Sequence, residues 1–117
     1  MKKGPAWEAR VVAYLREHGV PHAERRVMGG GRDRGDVAGI PGVVIEAKNA
    51  AGVALAAWVD EAEVERINDG AALAVVWHHR RGRSSPGDGY VTMTGATLVA
   101  LLRAAGYIAA ESAKGAA

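Results

Sequence analysis

The sequence predicts an α/β protein, a central mixed β-sheet flanked by helices in the order α-β-β-β-α-β-β-α. Three observations carry this. Apolar residues make up 49% of the 117 residues, enough for one core. Helix-period apolar stripes recur near the start, middle and end of the chain, with short apolar runs between them. Glycine and proline turns bound those runs. A sheet sandwiched by helices is the simplest arrangement that buries all these faces. The length suits a single domain, expected over residues 1–108. The Ala/Gly/Ser-rich stretch 109–117 is expected to fray.

Gly4-Pro5 opens the first helix, because a proline at the first helical position forfeits no hydrogen bond. Trp7, Val11, Val12, Leu15 and His18 continue it, and Gly19 ends it. Residues 23–28 read as a short strand and 29–35 as a glycine- and arginine-rich loop. A strand over 36–39, a turn at Ile40-Pro41-Gly42 and a strand over 43–48 follow. A second helix spans 53–68 and stops near Gly70. An apolar strand over 72–78 is of the buried kind. A loop over 80–89, a strand over 90–94 and a last helix to about Ala105, capped by Thr94 or Gly95, complete the chain.

Cysteine is absent, which excludes disulfides, thiolate metal sites and cysteine nucleophiles. No apolar run approaches the ~18 residues that would span a bilayer. Met1-Lys2-Lys3 has no apolar stretch behind it, so a secretory signal is not expected and a cytoplasmic setting is. The net charge is only +2, but it is unevenly spread. Residues 1–34 hold eight basic and four acidic groups, while 60–69 hold five acids against Arg66. Such a chain can turn one positive face to a polyanion, although ordinary solvated surfaces have the same composition.

The chemistry is concentrated between Gly35 and Lys48. Side chains alternate along a strand, so Glu46 and Lys48 share one face of the 43–48 strand. With a three-residue loop at 40–42 and Gly42 left-handed, Asp36 falls opposite Glu46 on the neighbouring strand. Two carboxylates that close repel unless a cation lies between them. Mg²⁺, which takes oxygen ligands and keeps several waters, suits such a pair. Lys48 beside it can orient a water or stabilise charge on phosphorus, and the sequence does not separate the two. Taken singly, Asp36 can instead start a strand, and Glu46 with Lys48 can form an exposed ion pair. His78 and His79 are adjacent on a strand and point to opposite faces, so they are poor joint ligands. Ser84 and Ser85 lack a His-Asp partnership, and Gly29 to Gly31 do not fit a phosphate-binding loop. Trp58 and Trp77 read as core, and Trp7 as either core or stacking surface.

An Asp, nine residues and a Glu-x-Lys on a hairpin between two helices resembles the PD-(D/E)xK nuclease superfamily. Gly30-Gly31-Arg32-Asp33-Arg34-Gly35-Asp36 leading to Val44-Ile45-Glu46-Ala47-Lys48-Asn49 is similar to Holliday junction resolvases of phage and archaeal type. The resemblance covers about residues 4–76, with Gly35 where the motif's name has proline. It implies a restriction-endonuclease-like core, here a single nuclease domain. It implies metal binding by Asp36, Glu46 and the Ala47 carbonyl, and a catalytic Lys48. Glu8, on the apolar stripe of the first helix, is the candidate for the further glutamate the family often adds. The activity implied is Mg²⁺-dependent cleavage of DNA, with Mn²⁺ substituting, by paired cuts at a four-way junction. Two matched cuts favour a homodimer. Arg25, Arg26, Arg32 and Arg34, with Arg80, Arg81 and Arg83, are the expected phosphate contacts. A bacterial or phage-infected cell is the setting implied. A restriction-like, repair or nicking endonuclease with the same site, or a non-catalytic DNA-binding module, are the alternatives.

Overall fold

The computed structural model describes residues 3–26 and 34–111. Among the described residues, three α-helices and five strands follow the expected order: α1 Lys3–Glu17, β1 Glu24–Arg25, β2 Val37–Ala38, β3 Val43–Lys48, α2 Leu55–Asp69, β4 Leu73–His78, β5 Tyr90–Thr92 and α3 Gly95–Ala104. The fold is α/β with a mixed sheet. Strands β3 and β4 are parallel, joined by the α2 crossover, and β5 runs antiparallel to β4. No helix among the described residues is long and apolar enough to cross a membrane.

Alternation along β3 and β4 sorts the core into two layers. Ile45, Ala47 and Val75 turn to one face and pack with Trp7, Val11 and Val12 of α1. Val44, Ala74 and Val76 turn to the other and pack with Ala62 of α2, with Trp58 and Val59 at its margin. Glu46 and Lys48 therefore project into the α2 layer. Trp7 is core: it is 1% exposed, and its indole N–H donates to the Trp77 carbonyl at 3.1 Å. Trp77 in turn donates to the carbonyl of buried Pro86 at 3.0 Å. That proline opens a short 3₁₀ helix, Pro86–Asp88, inside what the sequence presents as a loop.

The ends of the helices use expected devices. Gly70 closes α2 in the left-handed conformation at φ 67°, and its cap N–H reaches back to α2 carbonyls. The Thr94 hydroxyl accepts the Thr97 N–H at 3.1 Å and starts α3. His18, expected as helical, lies beyond α1 and rests against Tyr14 with ring centroids 4.1 Å apart. In the tail, Ala109 to Glu111 are exposed and without regular structure, although the Arg103 guanidinium donates to the Ala109 carbonyl at 3.0 Å. Residues 112–117 lie outside the described residues, as do 27–33, which contain most of the glycine-rich loop and Arg32.

Contrary to expectation, the 36–39 segment does not form a ladder with β3. Its regular part, β2, pairs antiparallel with β1, with Arg25 opposite Val37. Asp36 itself joins the two sheets. Its N–H donates to the Ile45 carbonyl at 3.0 Å, and its carbonyl accepts the Arg26 N–H at 2.8 Å. The backbone partner of Asp36 is thus Ile45, not Glu46. The turn at 40–43 is closed by the Val43 N–H on the Ile40 carbonyl at 3.2 Å, with Gly42 left-handed at φ 82° as expected.

Candidate functional site

Asp36 sits at the free edge of β3, and its carboxylate takes over a bond that a neighbouring strand would have made. Its Oδ2 accepts the Ala47 N–H at 2.8 Å. That contact fixes the side chain beside the end of β3 without any strand ladder. Gly35 makes the approach possible. It has φ 97°, and a Cβ there would lie 2.8 Å from Val44 Cγ1. A proline, locked near φ −65°, cannot take this conformation. Glycine rather than proline at position 35 therefore follows from the backbone path.

Glu46 is buried, 4% exposed, on the α2 side of β3. Burial, hydrogen-bonding contact with the carboxyls of Asp36 and Glu65, and the charges of both push its carboxyl far above the usual range. Its Oε2 is buried and has no hydrogen-bond partner. Lys48 stands one alternation further on. Its Nζ lies 2.8 Å from Glu61 Oε1. Burial works against the ammonium, but the Glu61 hydrogen bond and the charges of Glu46, Glu61 and Asp36 outweigh it and raise its pKa.

The structure thus brings Asp36, Glu46, Ala47 and Lys48 together. Glu8 stands on the α1 side of the same edge. Burial and the Asp36 charge raise its pKa, against a 3.1 Å contact from Arg25 Nε. Glu8 is thus within electrostatic reach of Asp36 and already held by one of the candidate phosphate-binding arginines.

Two residues of the site escaped the sequence reading. Glu61 and Glu65, on α2, place one oxygen each within 4.8 Å of each other and of one from Glu46, a set that could hold a metal ion. Glu65 is 1% exposed and Glu61 is exposed. A signal existed: Trp58, Glu61, Ala62 and Glu65 fall at i, i+3, i+4 and i+7, the spacing of one helix face. Read as part of an acidic run, the two look like solvating charges.

Most of the candidate arginines among the described residues already have acidic or aromatic partners. Arg26 is bonded through its backbone to Asp36, and its guanidinium and that of Arg34 both lie 3.9 Å from Asp69 Oδ1. Because His78 pairs with Lys48, the chain beyond β4 leaves the sheet at the end that carries the acids. There Arg80 lies over the Tyr90 ring at 5.3 Å, Arg81 is exposed, and Arg83 is 3.9 Å from Asp88 Oδ2. The two histidines at the end of β4 each have contacts of their own. His78 is buried, its Nε2 is 2.8 Å from the Thr92 hydroxyl, and burial lowers its pKa. His79 meets Trp7 edge-on at 5.0 Å between ring centroids.

Comparison with protein-family models, with curated proteins and with solved structures finds no match in any of the three.

Proposed function

We propose that this chain is a divalent-cation-dependent DNA endonuclease with a restriction-endonuclease-like core, acting on four-way junctions in the manner of a Holliday junction resolvase. The observation that carries the reading is the meeting of Asp36, Glu46 and Lys48 around the Ala47 peptide. The β3-α2-β4 crossover, which supplies one wall of the cluster, also supports it.

The residues fit a hard cation. Carboxyl oxygens converge on a site where Glu46 Oε2 lacks a donor, and like charges in a dry place require a proton or a cation between them. Asp36 and Glu46 would hold Mg²⁺ or Mn²⁺, with the Ala47 carbonyl as a further oxygen. When bound, such a cation stabilises charge at a phosphodiester and makes a water more acidic. The Ala47 N–H holds Asp36 in place, so the carboxylate is oriented before any substrate arrives. Lys48, drawn between Glu61 and the Asp36–Glu46 pair, keeps its proton and can face a phosphate as a cation. Arg26, Arg34, Arg80 and Arg81 would then supply contacts to the phosphates of a DNA backbone. Shape and phosphate spacing, rather than base edges, would select the junction. Two cuts call for two copies of the chain.

The test compares a synthetic four-way junction with linear duplex and flap DNA, each in Mg²⁺ and in EDTA. Paired Mg²⁺-dependent cuts confined to the junction are expected. Asp36→Ala and Glu46→Ala are expected to lose cleavage at least a hundredfold while retaining salt-sensitive junction binding. Equal cutting of duplex would move the assignment to a restriction-like or repair enzyme. Binding without any cutting would make the chain a DNA-binding module.

A further inference from the structure

The acidic cluster is larger than the Asp36–Glu46 pair needs. Asp36 lies at the free edge of β3, while Glu46 projects from that edge into the α2 layer. On the far side of Glu46 stand Glu61 and Glu65, four residues apart and so on one face of α2. Their oxygens and one of Glu46 are mutually within 4.8 Å. Two oxygens on opposite sides of an octahedral Mg²⁺ are about 4.2 Å apart, and around Ca²⁺ about 5 Å. The three carboxyls therefore span one cation's width. Glu46 faces both groups, and its buried Oε2 has no hydrogen-bond partner. Burying carboxylates against one another costs several kcal/mol unless something offsets their charge.

We propose that the chain binds a second divalent cation between β3 and α2, held by Glu46, Glu61 and Glu65, with Glu46 bridging to the first position at Asp36. The inference rests on the nuclease reading for the first position and not for the second. Glu61 is at the solvent margin and provides the route in. Lys48 donates to its Oε1, which leaves the other oxygen for the cation. Glu65 is the interior ligand, fixed by the packing of α2 against β4 beside Ala62. Lys48 then stands at the margin of the second position and can follow Glu61 as the cation enters.

The full chain, free of DNA, is titrated with Mn²⁺ and followed by electron paramagnetic resonance. Wild type is expected to take two Mn²⁺ per chain and to show the exchange-coupled spectrum of ions sharing a carboxylate. Glu65→Gln and Asp36→Asn should each take one and lose the coupling. Glu61→Gln, on the exposed side and harmless to folding, should weaken the second Mn²⁺ by roughly tenfold or more. One uncoupled Mn²⁺ in wild type, unchanged by Glu65→Gln or Glu61→Gln, would overturn the proposal and leave a shared proton as the occupant of the α2 side. Cleavage assays on the same samples separate the two readings. Junction cutting with a single bound Mn²⁺ keeps the nuclease and removes the second position. Two coupled Mn²⁺ with no cutting of any DNA keeps the second position and removes the nuclease.

Discussion

Replacing Glu46 by glutamine should stabilise the cation-free protein, and by an amount that depends on pH in a defined way. The side chain is 4% exposed and lies against Asp36 and Glu65, so its folded pKa is raised far above the 4.5 of an unfolded glutamate. A carboxyl with a raised folded pKa contributes full stability below its unfolded pKa and loses it as pH climbs toward the folded one. One proton is then taken up on folding, at a cost of about 1.4 kcal/mol per pH unit above 4.5. From 4.5 to pH 7 the accumulated loss is roughly 3 kcal/mol. Glutamine has the same shape and no proton to take up, so Glu46→Gln avoids that loss. Urea unfolding in EDTA at half-unit steps between pH 4.5 and 8 is the assay. The variant should match wild type near pH 4.5 and gain about 3 kcal/mol by pH 7. In a thermal melt at pH 7 that is a rise of roughly 10 °C for a domain of this size. Millimolar Mg²⁺ should narrow the gap by stabilising wild type more as pH rises, and should leave the variant nearly unmoved. A stability difference that stays flat across this range would refute the reasoning, since Glu46 would then be ionised in the folded protein without penalty.

Two further substitutions, with a third as control, test other parts of the structure. Lys48→Ala should lose single-turnover cleavage while changing stability by no more than about 1 kcal/mol, because its partly exposed ion pair with Glu61 is worth little; turnover at the wild-type rate would make it a surface charge. Gly39→Ala should cost roughly 2–4 kcal/mol in urea unfolding, because φ is 116° and the added Cβ would lie 2.8 Å from the Ala23 Cα and the His22 carbonyl. Gly82→Ala, left-handed at φ 82° but in open space, is the control and should lose only about 1–2 kcal/mol.

The elements that the sequence foretells well are those whose signal is local. The stripe from Trp7 to Leu15 and the apolar strands β3 and β4 are periodic patterns that few other placements would bury. Gly70 and Thr94 mark helix ends because their own backbone or side chain satisfies the terminal groups. The turn at 40–42 is likewise written in its proline and left-handed glycine. Glu46 and Lys48 share a face by side-chain alternation alone, and the turn at 40–42 returns the chain so that Asp36 meets the same strand, though not in the expected register.

Whatever depended on which surface meets which was not legible. Val37–Ala38 is too short for its composition to choose between β1 and β3, and the choice fell to the Asp36 backbone, which bonds to both sides at once. The carboxylate of Asp36 reached Ala47 through a side-chain hydrogen bond that no register rule anticipates. Glu61 and Glu65 differ in sequence hardly at all from the solvated acids around them. Only the docking of α2 onto the sheet turned Glu65 inward, because a helix's rotation about its own axis is set by packing along its whole apolar face rather than by any single residue. Amino-acid order set the parts and two acids of the site with the lysine beside them; tertiary contact alone decided how the small strands pair and that the helix crossing the sheet adds two more carboxyls.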